Sequence, residues 1–183
     1  MAPVLPDVLR PGLAVVFCGT AAGAASARAG AYYAGPGNAF WRTLHEIGLT
    51  PGLLEPASFE RLTDYGIGLT DVCKVRSGSD VEVGRAHFDV AGLEARIAAA
   101  APAHLAFNGK NAGRAALGRP VAYGRQPERF SGAVTWVLPS TSGAARGFWD
   151  PGPWRELGAA VQSVARVSPG QLPVAPAKAR RAP

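Results

Sequence analysis

Methionine occurs once in this 183-residue chain, cysteine twice and histidine three times, so most metal and redox chemistry has little to work with. Cys18 and Cys73 each sit in an apolar run and read as buried thiols, not as a disulfide framework. Two thiols also fall short of the four that usually hold an iron–sulfur cluster. His45, His87 and His104 show no ligand spacing, so neither a metal nor another cofactor is implied. The chain has no run of about 18 apolar residues and no signal-peptide pattern, from which a cytoplasmic, membrane-free protein is expected. Neither the P-loop signature nor G-x-G-x-x-G is present, which argues against a phosphate-loop or dinucleotide fold. Acidic residues are the scarcer charge, 13 against 19 Lys and Arg, for a formal net charge of +6. That balance favours a polyanionic partner, although Lys178, Arg180 and Arg181 supply half of it from the extreme C-terminus.

What is present is a good core. Hydrophobic residues make up 48% of the chain, enough for one domain over residues 1–167. Residues 168–183, rich in Pro and Ala, read as a disordered basic tail. Leu13–Cys18 is an unbroken apolar run, the mark of a strand buried on both faces. Similar runs at Ile67–Cys73, Leu105–Phe107 and Val134–Leu138 give four strands. Helical periodicity fills the intervals at 38–47, 56–65, 90–100, 110–117 and 154–167, with Asp89 as an N-cap, while Gly19–Gly37 and Lys74–Arg85 read as loops. Alternating strands and helices predict an α/β three-layer sandwich around a central four-stranded, mostly parallel sheet. Ligands of such sheets gather beyond the carboxyl ends of the strands, which directs attention to the loops after the first, second and fourth.

The first loop opens Gly19-Thr20-Ala21-Ala22-Gly23 and leads through Tyr32-Tyr33 to Asn38-Ala39-Phe40-Trp41; the third strand ends Phe107-Asn108-Gly109-Lys110; the fourth runs into Leu138-Pro139-Ser140-Thr141-Ser142-Gly143, with Arg146 beyond. In that order these segments resemble the mismatch-specific uracil/thymine DNA glycosylase branch of the uracil-DNA glycosylase superfamily, over about residues 13–165. The resemblance implies an enzyme that flips a uracil out of double-stranded DNA and hydrolyses its N-glycosidic bond, acting as a monomer on uracil-containing or mismatched duplexes. It implies a base pocket lined by Thr20, Ala21, Gly23, Ser26 and Ser140, with Tyr33 stacked on the base. Gly143, Ala144, Ala145 and Arg146 would enter the duplex. Lys74 and Arg76, in the basic loop, are read as contacts to DNA phosphates.

The departures shape the chemistry. Ala21 stands where that branch carries a water-positioning asparagine, and a methyl group orients no water. Either the chain is a binding module for damaged DNA that has lost its chemistry, or another group supplies it. Asp71, in Leu69-Thr70-Asp71-Val72, is the candidate: a carboxylate at the end of the strand beside the first loop can stabilise positive charge on the sugar and align water. Asp64 and Asp80 are the fallbacks. A small-molecule nucleotide binder is a third reading, distinguished by an affinity indifferent to salt.

Overall fold

A computed structural model of the protein describes residues 2–167; the expected tail lies outside the described residues. Five strands form one sheet in the order β2-β1-β3-β5-β4, with β1 Val15–Ala22, β2 Ile67–Ser77, β3 His104–Asn108, β4 Gly124–Phe130 and β5 Ala133–Leu138. The first four in that order run parallel, and β4 pairs antiparallel with β5 at the edge. The expected four-stranded sheet therefore gains a fifth member. Gly124-Arg-Gln-Pro-Glu-Arg-Phe130 carries Pro127 and alternates with charge, a composition that an edge strand tolerates and a sequence pattern hides.

Two apolar layers cover the sheet. On one face Val15, Phe17, Ile67, Leu69, Ala106 and Trp136 meet α2 (Phe40–Glu46), α6 (Gly152–Val167) and a 3-10 helix at Pro56–Tyr65. On the other Val16, Cys18, Leu105, Phe107 and Val137 meet α4 (Val90–Ala100) and α5 (Lys110–Leu117). The period-two alternation of strand side chains assigns each residue to its layer. Asp89 caps α4 as expected, accepting a 2.9 Å bond from the Gly92 amide. The supposed loop after β1 instead contains α1, Ala24–Ala29, and Asp80–Val83 forms a short α3.

Two further differences bear on the site. β1 and β2 run past their expected ends, to Ala22 and Ser77, whereas β1 pairs with β3 only as far as Cys18 and Phe107. Gly19 and Asp71, paired in register, thus lie where the four-stranded parallel body ends and a two-stranded ribbon continues. The order 2-1-3 also makes the β1/β3 boundary the point where connections diverge to opposite sides, where such sheets open a crevice. In addition, the N-terminal segment is tied to the sheet. Val8 bonds both ways with Leu69 at 2.9 Å, Leu5 and Val8 are buried, and the segment flanks β2.

Candidate active site

The row Ile67, Leu69, Asp71 starts as core and ends in a carboxylate. Alternation keeps all three on the face of Phe17 and Tyr32, so Asp71 is carried into the apolar layer and left 3% exposed. Gly19 opposite it has no side chain to compete: a Cβ there would lie 2.5 Å from Asp71 Oδ1 and 3.5 Å from Tyr33 Oη. The carboxylate and the phenol therefore converge over one glycine. Ala21 stands two residues along the same row, in register with Cys73, so the position where the resemblance expects an amide shares its face with Asp71.

Burial pushes the Asp71 carboxyl up to about 7; Lys74 pulls it down, Asp7 pushes it up and Arg96 pulls it down again. These three charges form a cluster at the sheet margin. Lys74 Nζ lies 2.8 Å from Asp7 Oδ1 and donates to the Tyr32 hydroxyl at 2.8 Å. Arg96 Nε lies 3.4 Å from Asp7 Oδ2, and its Nη2 donates to the Asp71 carbonyl at 3.0 Å. Thr70 completes the set with a 2.7 Å bond to Asp7. The phosphate contact expected of Lys74 is thereby corrected: its side chain is 11% exposed and turned inward to an acid that the sequence pattern gave no reason to pair with it. Arg76, two residues on, is exposed.

Tyr33 is held at some cost. Its φ is +54°, a region that non-glycine residues seldom occupy, at about 1–3 kcal/mol. Its hydroxyl is buried and, among the described residues, has no hydrogen-bond partner, a further cost of about 1–3 kcal/mol. Burial first, and Asp71 second, raise its pKa, while Asn108 opposes them, so the phenol stays protonated. The ring stacks on Phe40 at 4.0 Å and 28°, so one of the faces expected to meet a base already has a protein partner. Trp41 Nε1 donates to the Tyr32 carbonyl at 3.2 Å and ties this turn to α2.

The other expected pocket residues divide. Thr20 alternates to the opposite face from Asp71 and is buried, so only its backbone borders the site. Ser26 is buried and its Oγ accepts from the Ala34 amide at 3.1 Å, closing the loop on itself. Gly23 is exposed at the start of α1, with nothing within 4 Å of an added Cβ. Ser140 sits beside Gly109, where a Cβ would lie 3.4 Å from Ser140 Cβ, and its Oγ accepts from the Ser142 amide at 3.3 Å. Asp64 is exposed on the 3-10 helix leading into β2, at the wrong end of that strand, and Asp80 opens α3.

Two long loops close against each other at this edge. Asn108 fixes the second: its Nδ2 donates to Thr141 Oγ1 at 2.9 Å and its Oδ1 accepts from the Thr141 amide at 3.0 Å. Thr141 in turn accepts from the Ala39 amide at 2.9 Å, and Trp154 Nε1 donates to the Pro139 carbonyl at 2.9 Å. Gly143, Ala144, Ala145 and Arg146 lie on a 3-10 turn, Gly143–Phe148, with Ala144 and Arg146 exposed. A Cβ on Gly143 would come 3.2 Å from the Pro36 carbonyl, and the Arg146 guanidinium lies over Gly37, whose φ of +71° favours glycine. Between the loops runs a cleft of about 450 Å³ lined by Asn38, Arg42, Ser140, Ser142, Arg146 and Trp149. It carries two guanidinium groups, and none of Gly19, Tyr33 and Asp71 lines it. Sequence reasoning missed Asp7, Arg96, Arg42 and Trp149; no spacing in the chain signals them. Among the described residues no group of three His, Cys, Asp or Glu side chains could hold a metal ion, and no helix is long and apolar enough to cross a membrane.

A buried carboxylate at the carboxyl edge of a mostly parallel sheet, and a cleft carrying two guanidinium groups between the loops at that edge, define the class: an α/β protein whose candidate site lies where such sheets bind ligands. Residues 6–157 match the uracil DNA glycosylase superfamily model, and the chain belongs to that superfamily, whose members are DNA glycosylases. It is also similar to the solution NMR structure of a candidate uracil DNA glycosylase from Methanosarcina acetivorans, at 29% identity and a TM-score of 0.62, covering 87% of this chain and 96% of that one.

Proposed function

We propose that this chain is a monofunctional DNA glycosylase that extrudes uracil from double-stranded DNA and hydrolyses its N-glycosidic bond, with Asp71 as the catalytic carboxylate. One observation carries the reading: Asp71 is buried over Gly19, on the face of Ala21, with an ionisation set near neutrality. In the reaction the water oxygen bonds to the anomeric carbon as the bond from that carbon to the base nitrogen breaks. The bonding pair leaves with the base, the water proton passes to the Asp71 carboxylate, and the departing base is reprotonated from solvent. Before that transfer, the ionised carboxylate offsets the positive charge growing on the sugar. The product is an abasic site. Lys74 is engaged by Asp7 and Tyr32, which argues against its amine forming a covalent link to the sugar.

In this reading the 3-10 turn at Gly143, Ala144, Ala145 and Arg146 enters the duplex, Arg42, Arg76 and Arg146 meet phosphates, and Thr20, Gly23, Tyr33 and Ser140 border the base. Uracil opposite guanine is the preferred substrate, because a mispair lowers the cost of extrusion, and other damaged pyrimidines are accepted more loosely than with amides in place of Ala21 and Ser140. The protein works as a cytoplasmic monomer in base-excision repair. Ala21 alone favours the second reading, a damage-binding module without chemistry. Incubation with duplexes bearing uracil opposite G or A, thymine opposite G, or hypoxanthine, followed by alkali, separates the two. Strand cleavage at uracil is expected; binding without alkali-labile sites would leave only the module.

A further inference from the structure

Tyr33 carries two unusual features at once, a left-handed backbone and a buried hydroxyl with no partner among the described residues, and that hydroxyl points at the space shared by Gly19 and Asp71. The ring explains neither feature. Its stacking on Phe40 would be the same for phenylalanine, which would also spare the cost of an unsatisfied oxygen. Asn108, the amide nearby, turns its Oδ1 to the Thr141 amide and acts on the Tyr33 oxygen only as a donor, opposing the rise in its pKa, so it does not take the hydroxyl's proton. Among the described residues the protein therefore keeps a donor without a protein acceptor beside a buried carboxylate.

We propose that the Tyr33 hydroxyl is a positioning group for excision: once a nucleotide enters, it hydrogen-bonds the water whose proton Asp71 accepts. The inference rests on the proposed role of Asp71. Asp71 takes one hydrogen of the water; Tyr33 fixes the water's remaining orientation, so that its oxygen faces the anomeric carbon as the carbon–nitrogen bond breaks. The ring's packing against Phe40 holds the hydroxyl in place, a function separate from contact with the base.

The test is a double-substitution cycle read by single-turnover excision from a uracil–guanine duplex, with duplex Kd and melting temperature measured alongside. Y33F should lower the rate about tenfold at pH 8, leave Kd within twofold and not lower the melting temperature. In a D71N background the same change should cost less than twofold, because both groups act on one water; D71E replaces D71N if no rate survives. Y33A should add a loss of affinity, since it also removes the ring. A Y33F rate within twofold of wild type, or an undiminished tenfold loss when Asp71 is already replaced, overturns the inference. D71N at wild-type rate would instead sink the carboxylate reading itself, a result distinguishable from failure of Tyr33 alone.

Discussion

Replacing Asp71 with Asn should cripple excision and yet make the protein more stable, with a pH dependence of definite sign. The carboxyl titrates at about 7 in the folded chain against 3.8 for the free group, and burial is the main cause. Three pH units correspond to roughly 4 kcal/mol. Because the folded value is the higher one, the folded state holds the proton more tightly. Its contribution to stability is complete below pH 3.8, declines as pH rises, and is gone above about 7, where the protein must bury a charge. Asn keeps the shape and never ionises, so D71N should melt with wild type near pH 4 and be more stable by about 2–4 kcal/mol at pH 8, some of the gain being lost to an amide with imperfect partners. For a domain of this size that is on the order of 5–15 °C in melting temperature. Thermal melts of both proteins from pH 4 to pH 9 give the comparison. A D71N protein less stable than wild type at pH 8, or a gap that does not widen with pH, would refute the reasoning and remake Asp71 as an ordinary structural acid.

Other substitutions test separate parts of the site. G19A, accepted by a backbone without positive φ, pushes a methyl to within 2.5 Å of Asp71 Oδ1 and should cut excision more than tenfold while far-ultraviolet circular dichroism stays unchanged. K74M removes the strongest influence holding the Asp71 pKa down, so the rate–pH profile should shift to higher pH; DNA affinity and its salt slope, measured by fluorescence anisotropy, should change little because Lys74 faces inward. R146A should weaken duplex binding several-fold and reduce the slope of log K against log salt by about one, with excision at saturating enzyme nearly kept.

Part of this was open to a reader of the sequence alone. Four of the strands announce themselves as apolar runs, because strands covered on both faces need no polar residue. Asp71 stands out for the same reason, as a charge ending such a run. The edge strand β4 did not, since Gln126, Pro127 and Glu128 look like a turn until β5 is there to pair with them. Helix α1 was hidden among alanines and glycines that give no apolar stripe. The charges that tune Asp71 were illegible for a different reason. Asp7 reaches Lys74 only because the N-terminal segment flanks β2, a pairing across more than sixty residues that no local pattern encodes. Lys74 looked like a surface cation because it opens the polar, basic segment 74–85; its partner in space decided otherwise.

The most direct measurement is the single-turnover rate of uracil release from a uracil–guanine duplex as a function of pH, for wild type and D71N. An ionised Asp71 requires the wild-type rate to rise tenfold per pH unit below about 7 and level off above it, with D71N slow and flat throughout. A wild-type rate indifferent to pH between 5 and 9, or a D71N protein that releases uracil as fast as wild type, would mean that some other group carries the reaction.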